Sequence, residues 1–320
     1  MTPLVIKLMR RLQAIDYPSP RSSHVTPTLR GGGISVMAGA LTALALPSAS
    51  RPIDRTILAA SVTAFGLLGL TEDLRGISPL SRLSIQVAVA VLFAPLILRS
   101  MEISIFWQVI VELLTVVWLV AYVNAFNFMD GINGIGLGQV IVAGVTWSLI
   151  GGSRNVQILI AAGMTGTGAA LGFTFFNFPR ARMFLGDVGS YSLGAWLSAV
   201  AIFGLKAGIP ADAMVAPLSV FLVDTGSTLV RRAFSGQALC QPHRCHAYQR
   251  LVDLGWSHTR TTLSVVALMG VCSGLGAVSL ISSISARIAA DIALAGLLVG
   301  YVAAPSYLKT RYRRVTSGSR

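Results

Sequence analysis

Apolar residues run along this chain in long blocks, and polar residues gather in short clusters between them. A membrane-spanning helix needs about 17–25 mostly apolar residues. Ten segments come close: Gly31–Pro47, Thr56–Leu70, Leu83–Leu98, Val109–Phe126, Gly134–Ile150, Val156–Phe176, Ser190–Leu205, Ala213–Val230, Thr261–Ser283 and Ile288–Leu308. Several are rich in Gly and Ala, as at Ala161–Gly172, and small residues let helices approach closely in a membrane. No strand-like alternation, soluble insertion or second domain interrupts the series. The pattern predicts an all-α, polytopic integral membrane protein of about ten transmembrane helices. Its domain covers 31–308, after a basic N-terminal cytoplasmic segment at 1–30 and before a basic cytoplasmic tail at 309–320. Met1–Met9 is apolar but too short to span, with Lys7, Arg10 and Arg11 at its end, so no cleavable signal peptide is expected.

Composition agrees with a lipid environment. Of the 320 residues 54% are hydrophobic and only 12% charged, against about 25% charged in soluble domains. Such a chain could not cover its own surface in water, whereas lipid lets apolar side chains face outward. The net charge of +13 does not indicate nucleic acid as a partner, because the basic residues sit between apolar runs rather than along one face. Counting alternate loops places 19 of the 25 Lys and Arg on one side and 6 on the other. By the positive-inside tendency both termini are then cytoplasmic. Cys240, Cys245 and Cys272 suggest no disulfide framework.

Carboxylates in a membrane are expensive, so they usually face a wet cavity, a partner or an ion. Glu72, Asp73, Asp130 and Asp187 all fall at helix ends on the basic-rich side, and Asp224 lies just inside its helix there. Together they predict one convergent site. The plainer alternative is that each caps a helix or pairs with Arg75, Arg180 or Arg182.

Five polar blocks surround these acids. The N-terminal loop 16–33 carries Arg21, His24 and Arg30 before Gly31-Gly-Gly33, and a glycine run opening a helix can present N–H groups to an anion. Glu72-Asp73 can bind a divalent cation through water or supply a base. Asn124, Asn127 and Asp130 recur at a spacing of three, on one helical face, before a glycine-flanked break. Asp187 stands between Gly186 and Gly189, preceded by Asn177, Arg180 and Arg182, and this suits a metal-bound diphosphate. The last block, Cys240 to Arg250, packs His243, Arg244 and His246 at a density that suits phosphate recognition. A zinc site from Cys240, His243, Cys245 and His246 is the rival there, but it lacks the usual paired spacing.

In this order the blocks resemble the polyprenyl-phosphate N-acetylhexosamine-1-phosphate transferase superfamily, bacterial glycosyltransferase family 4. The likeness covers nearly the whole chain. It is nearest the undecaprenyl-phosphate N-acetylglucosaminyl-1-phosphate transferase-like branch that initiates O-antigen and related glycans. The resemblance implies Asp187 as the magnesium ligand, with manganese as an alternative, and catalytic roles for Glu72, Asp73 and Asp130. It also implies substrate contacts from Asn124, Asn127, Asn177, Arg182, His243, Arg244 and His246. The implied partners are a UDP-N-acetylhexosamine, undecaprenyl phosphate and membrane lipid, with a homodimer compatible. The implied place is the bacterial inner membrane, with the active site on the cytoplasmic side. Three features depart from the pattern. Glu72 stands where the first Asp of a pair is usual, Asn133 replaces a second Asp, and a span often found before the basic N-terminal loop is missing or shortened. The reaction expected is transfer of the sugar-1-phosphate from the UDP-sugar to the lipid phosphate with release of UMP. An anion transporter or an inactive family member are the rival readings.

Overall fold

The structure, a computed structural model, describes residues 1–18, 26–236, 244–280 and 283–317, with the backbone alone from 312 onward. A short amphipathic helix α1 (Thr2–Arg11) leads into a two-residue antiparallel pairing of β1 (Ile15–Asp16) with β2 (Thr28–Leu29). Then come the apolar helices α2 (Gly33–Ala45), α3 (Pro52–Arg75), α4 (Pro79–Leu98), α5 (Ile105–Met129), α6 (Ile135–Arg154), α7 (Gln157–Asn177) and α8 (Gly186–Lys206). The eighth apolar span is composite. It joins α9 (Ala211–Val215), a 3-10 turn at Ala216–Leu218 and α10 (Ser219–Phe234). A short α11 (Ala247–Asp253) precedes α12 (His258–Ala277) and α13 (Ile284–Ser317).

Among the described residues nine helical spans are long and apolar enough to cross a membrane, and α2, at 13 residues, is a shorter tenth apolar helix. All ten expected segments therefore reappear in an all-α polytopic arrangement. The last helix runs past 308 and carries the basic tail in helical form to Ser317.

Local chemistry sets the helix ends. Ser78 accepts the Ser81 N–H at 3.1 Å ahead of Pro79, and Ser257 accepts the Arg260 N–H at 3.2 Å. Both satisfy N–H groups that have no partner inside the helix. The antiparallel alternation brings the C-terminal ends of α3, α5, α7 and α10 to one end of the bundle, with the starts of α2, α4, α6, α8 and α12. At the opposite end Arg99 pairs with Asp54 at 3.1 Å, and Lys206 Nζ donates to the Ile97 carbonyl at 2.8 Å.

The central element is α8. Sixteen of its 21 residues are buried, and it packs against α2, α3, α4, α5, α6 and α7. Lipid adds little drive for apolar helices to associate, so close van der Waals approach does that work. At Gly33 and Gly189 the backbones of α2 and α8 touch, and a Cβ on Gly33 would overlap the Gly189 backbone. The outermost element is α13, with most of its surface outside the core.

Candidate active site

The site is organised around the first turn of α8. Gly186 takes φ +72°, a conformation that disfavours other residues, and a Cβ there would lie 2.6 Å from Asp73 Oδ2. This turn aims the first N–H groups of α8 at the last turn of α3. Asp73 accepts them with both carboxylate oxygens, from Asp187 N at 3.1 Å and Val188 N at 3.0 Å. A carboxylate against a helix N-terminus meets both unpaired donors and the positive end of the helix dipole. Arg30 completes the corner. Its Nη2 donates to the Asp73 carbonyl at 2.5 Å and its Nε lies 3.8 Å from Asp73 Oδ1. The Gly31–Gly33 run does not act as the anion cradle expected from sequence. Gly32 N and Gly33 N donate instead to the carbonyls of Phe184 and Leu185, at 2.9 and 2.8 Å, which ties the start of α2 to the start of α8.

Asp187 projects from the turn so formed. The Asn127 carboxamide on α5 donates to Asp187 Oδ1 at 2.7 Å and to Ser190 Oγ at 2.8 Å. One turn later, Asp130 closes α5 and receives the backbone N–H of Gly136. Desolvation pushes the Asp130 carboxyl well above its usual range, the Gly136 N–H opposes this, and the charge of Asp187 adds to the rise. Asn177 is buried and joins two loops, accepting the Gly134 N–H at 2.7 Å and donating to the Met183 carbonyl at 3.1 Å. Asn133, in place of an expected acid, donates to the Pro179 carbonyl at 3.0 Å. A cavity of about 270 Å³ opens among these groups, lined by Arg30, Asp73, Asn127, Asp130, Asp187 and Ser190 among others.

Among the described residues none of the remaining sequence candidates lines this cavity. Glu72 does not line the cavity. Its Oε1 is 3.8 Å from Arg82, and its buried Oε2 has no hydrogen-bond partner among the described residues. Asn124 turns away to Gln86 on α4, with Nδ2 donating to Gln86 Oε1 at 2.6 Å. Arg182 is exposed and outside the cavity lining. Arg244 pairs with Asp253 at 2.9 Å. His243 and Cys240 lie outside the described residues, as do Arg21 and His24. His246 is buried against Asp224, with Nδ1 3.2 Å from Asp224 Oδ1.

Asp224 therefore does not join the convergent acids. It is fully buried, and it accepts the Ala247 N–H at 2.9 Å, the Tyr248 N–H at 3.4 Å and the Tyr301 hydroxyl at 2.7 Å. This carboxylate fastens α10, α11 and α13 together. The Tyr248 hydroxyl in turn donates to the Phe128 carbonyl at 3.0 Å, beside Asp130. Gln249, also on α11, lines the cavity. Ser190 and Gln249 stand in the polar blocks of the sequence without a role assigned there, and His258, which also lines the cavity, stands outside every block.

Among the described residues no three His, Cys, Asp or Glu side chains form a metal cage. Magnesium does not need one, since it commonly takes one or two carboxylates and fills its other positions with phosphate and water. Asp187, oriented by Asn127 at the cavity wall, fits that donor set. Asp73 fits it less well, because both its oxygens already hold backbone N–H groups.

Comparison with known proteins gives a consistent picture. The sequence profile of glycosyl transferase family 4 matches residues 55–205. A probable undecaprenyl-phosphate N-acetylglucosaminyl 1-phosphate transferase of Bacillus subtilis is 28% identical over 293 residues, covering 88% of this chain and 82% of the relative. A decaprenyl-phosphate N-acetylglucosaminephosphotransferase of Mycobacterium leprae is 30% identical over 330 residues, covering 88% and 80%. A phospho-N-acetylmuramoyl-pentapeptide-transferase of Latilactobacillus sakei is 30% identical over 168 residues, covering 51% and 50%.

Proposed function

The chain belongs to glycosyl transferase family 4, and from that membership we propose that it transfers an N-acetylhexosamine-1-phosphate from a UDP-sugar to undecaprenyl phosphate. UMP is the leaving product, and the lipid-linked sugar begins a cell-surface glycan. UDP-N-acetylglucosamine is the first donor to test, because the Bacillus and Mycobacterium relatives are named for N-acetylglucosamine and a polyprenyl phosphate. One observation carries the reading: Arg30, Asp73, Asp130 and Asp187 meet in a single cavity at the end of a membrane bundle. A polar cavity at that level suits an aqueous nucleotide-sugar and a lipid phosphate alike.

The residues divide the work by geometry. Asp187 is the protein ligand we assign to magnesium or manganese, which when bound would offset the repulsion between the two phosphate-bearing substrates. Asn127, itself bonded to Ser190, holds the Asp187 carboxylate in orientation. Asp73 acts through position, by fixing the α8 turn from which Asp187 projects. Asp130, whose proton affinity is raised by burial, is the residue we place as the base for the acceptor phosphate, since its carboxylate holds a proton more strongly than an exposed one. Arg30 supplies a cation at the cavity wall. Of the histidine block, His246 is held by Asp224 and Arg244 by Asp253, so neither is assigned a contact with the nucleotide-sugar. The 19-to-6 basic asymmetry supports a cytoplasm-facing cavity in the bacterial inner membrane.

The test uses purified protein in detergent with radiolabelled UDP-N-acetylglucosamine, undecaprenyl phosphate and magnesium. The expected outcome is label in a butanol-extractable lipid, with UMP formed in equal amount. If no UDP-N-acetylhexosamine yields lipid product from a folded preparation, the proposal fails.

A further inference from the structure

We propose that Arg51, Arg99 and Lys206, at the end of the bundle opposite the cavity, hold the phosphodiester of one anionic phospholipid, whose acyl chains lie along Leu96 and Leu92 of α4. The contact stands whatever reaction the cavity performs.

By the loop count only six Lys and Arg fall at this end. Four of them, Arg51, Arg55, Arg99 and Lys206, gather where α2, α4 and α8 end and α3 begins. The positive-inside tendency keeps Lys and Arg scarce here, so a cluster of them calls for a counter-charge. The protein supplies little of it. Asp54, in the first turn of α3, pairs with Arg99 at 3.1 Å. Glu102 is exposed in the loop after α4. Even with both, four cations face two carboxylates.

Helix capping accounts for part of the cluster. Arg55 donates to the Leu44 and Leu46 carbonyls at the end of α2, and Lys206 donates to the Ile97 carbonyl at the end of α4. Both meet the negative end of a helix dipole there. Arg55 is thereby committed, and the other three are not. The Arg51 side chain is exposed and bonds nothing among the described residues. Arg99 gives Nη2 to Asp54, while its buried Nε has no hydrogen-bond partner among the described residues. The Lys206 ammonium carries three N–H groups and lies within electrostatic reach of Arg51, Arg99 and Asp54. Guanidinium groups match the oxygens of a phosphate, and an ammonium adds a point charge. Basic pockets between membrane helices take anionic lipid headgroups in this way.

The surroundings favour a lipid over a free anion. Leu92, Leu96 and Arg99 recur at i, i+4 and i+7, on one face of α4. Leu92 is 61% and Leu96 42% exposed, so an apolar stripe runs from the basic group toward the middle of the membrane. Trp107, exposed at the start of α5, is a residue type that collects at the membrane interface. It places the preceding loop, and Arg99 with it, at headgroup depth. A dissolved anion would use the cations alone, whereas a phospholipid uses the stripe as well. A zwitterionic headgroup would bring its own cation to a corner already in surplus, which selects an anionic one.

The experiment reconstitutes the full chain in phosphatidylcholine nanodiscs doped with photoactivatable phosphatidylglycerol or photoactivatable phosphatidylcholine. Each probe carries a diazirine in its acyl chain, and adducts are mapped by peptide mass spectrometry. The peptide bearing Leu92 and Leu96 should take about fivefold more label from the glycerol lipid, the factor expected of one surplus charge. Unlabelled phosphatidylglycerol should compete, and inorganic phosphate should not. Arg51→Glu, at a side chain that bonds nothing in the protein, should bring the two probes to equality with the melting temperature unchanged. Lys206→Gln keeps a donor for the Ile97 carbonyl and should lower the preference too. Label on peptides from the cavity end should stay constant in both variants. Equal labelling of the wild type by the two probes overturns the proposal and leaves the corner as helix caps. Loss of label in inorganic phosphate overturns the lipid and assigns the corner to a free anion. A preference unchanged in both variants overturns the residues named, and a parallel fall at the cavity end overturns a local site.

Discussion

Two polar clusters sit at the same end of the bundle and use the same device for different ends. In each, a carboxylate on one helix accepts two backbone N–H groups at the start of another. Asp73 holds Asp187 and Val188 of α8, and Asp224 holds Ala247 and Tyr248 of α11. Around Asp73 the result is open, since Asp187, Asp130 and Arg30 line a cavity. Around Asp224 it is closed, since the carboxylate also takes the Tyr301 hydroxyl and faces the His246 ring with no exposed surface. A satisfied buried carboxylate is an architectural element. Only where the held helix carries a further acid toward a cavity does the same device make a reactive centre. Burial of a charged group is therefore weak evidence of chemistry until its partners have been counted.

The contrast can be broken most sharply at Asp187. Asp187→Asn keeps the Asn127 contact possible but removes the negative charge, and should lower the rate of transfer about 100- to 10,000-fold, the span typical of losing one principal group of a site. Melting temperature should change little, and radiolabel transfer with a magnesium titration reads the loss. Near-normal turnover at limiting magnesium would place the ion elsewhere.

Asp130 comes second. As a base it is active when deprotonated, so kcat should rise as pH climbs through its elevated pKa. Asp130→Asn should remove that rise and cost at least about 100-fold. The folded-state elevation also means that ionising Asp130 weakens the fold as pH rises. The melting temperature of the wild type should therefore fall slightly more across that range than that of the variant.

Asp224→Asn should reverse the pattern. Replacing a fully buried acceptor of charge-assisted hydrogen bonds should destabilise the protein by about 1.5–3 kcal/mol. Well below the melting point, the folded fraction should keep much of its kcat. A variant that melts normally but does not turn over would move Asp224 into the chemistry. The smallest effect belongs to neither cluster. Arg182 is exposed and outside the cavity, so Arg182→Ala should stay within about 0.5 kcal/mol, or twofold in rate, and a tenfold rise in KM for the UDP-sugar would show that this arginine reaches the nucleotide.

The fate of the Asn124, Asn127 and Asp130 triplet shows where sequence reading stops. Steps of three residues place side chains as neighbours, but each step also rotates the direction by about 60° relative to a whole turn. Over two steps the drift is large enough for Asn124 to meet Gln86 on α4, while Asn127 and Asp130 reach the cavity. The glycine run 31–33 was likewise legible as a place of close approach. That the approaching group is the backbone of α8 rather than an anion depends on Phe184 and Leu185, some 150 residues away. Arg182 and Arg244 carried the right charge at the right end of the bundle, yet one faces outward and the other pairs with Asp253.

What the chain determines by itself is the set of membrane spans and the end at which the acids of its polar blocks lie. Both follow from one-dimensional facts: a bilayer requires about 20 apolar residues per helix, and ionisable groups collect where those runs stop. Tertiary structure decides which acid holds a helix and which faces the cavity. Asp73 and Asp187 are separated by 114 residues, and their roles arise only where α3 and α8 pack closely enough to put a carboxylate against the first N–H groups of a helix. A carboxylate satisfied in that way and one left facing a cavity have the same side chain, and only the donors brought to them by packing tell them apart.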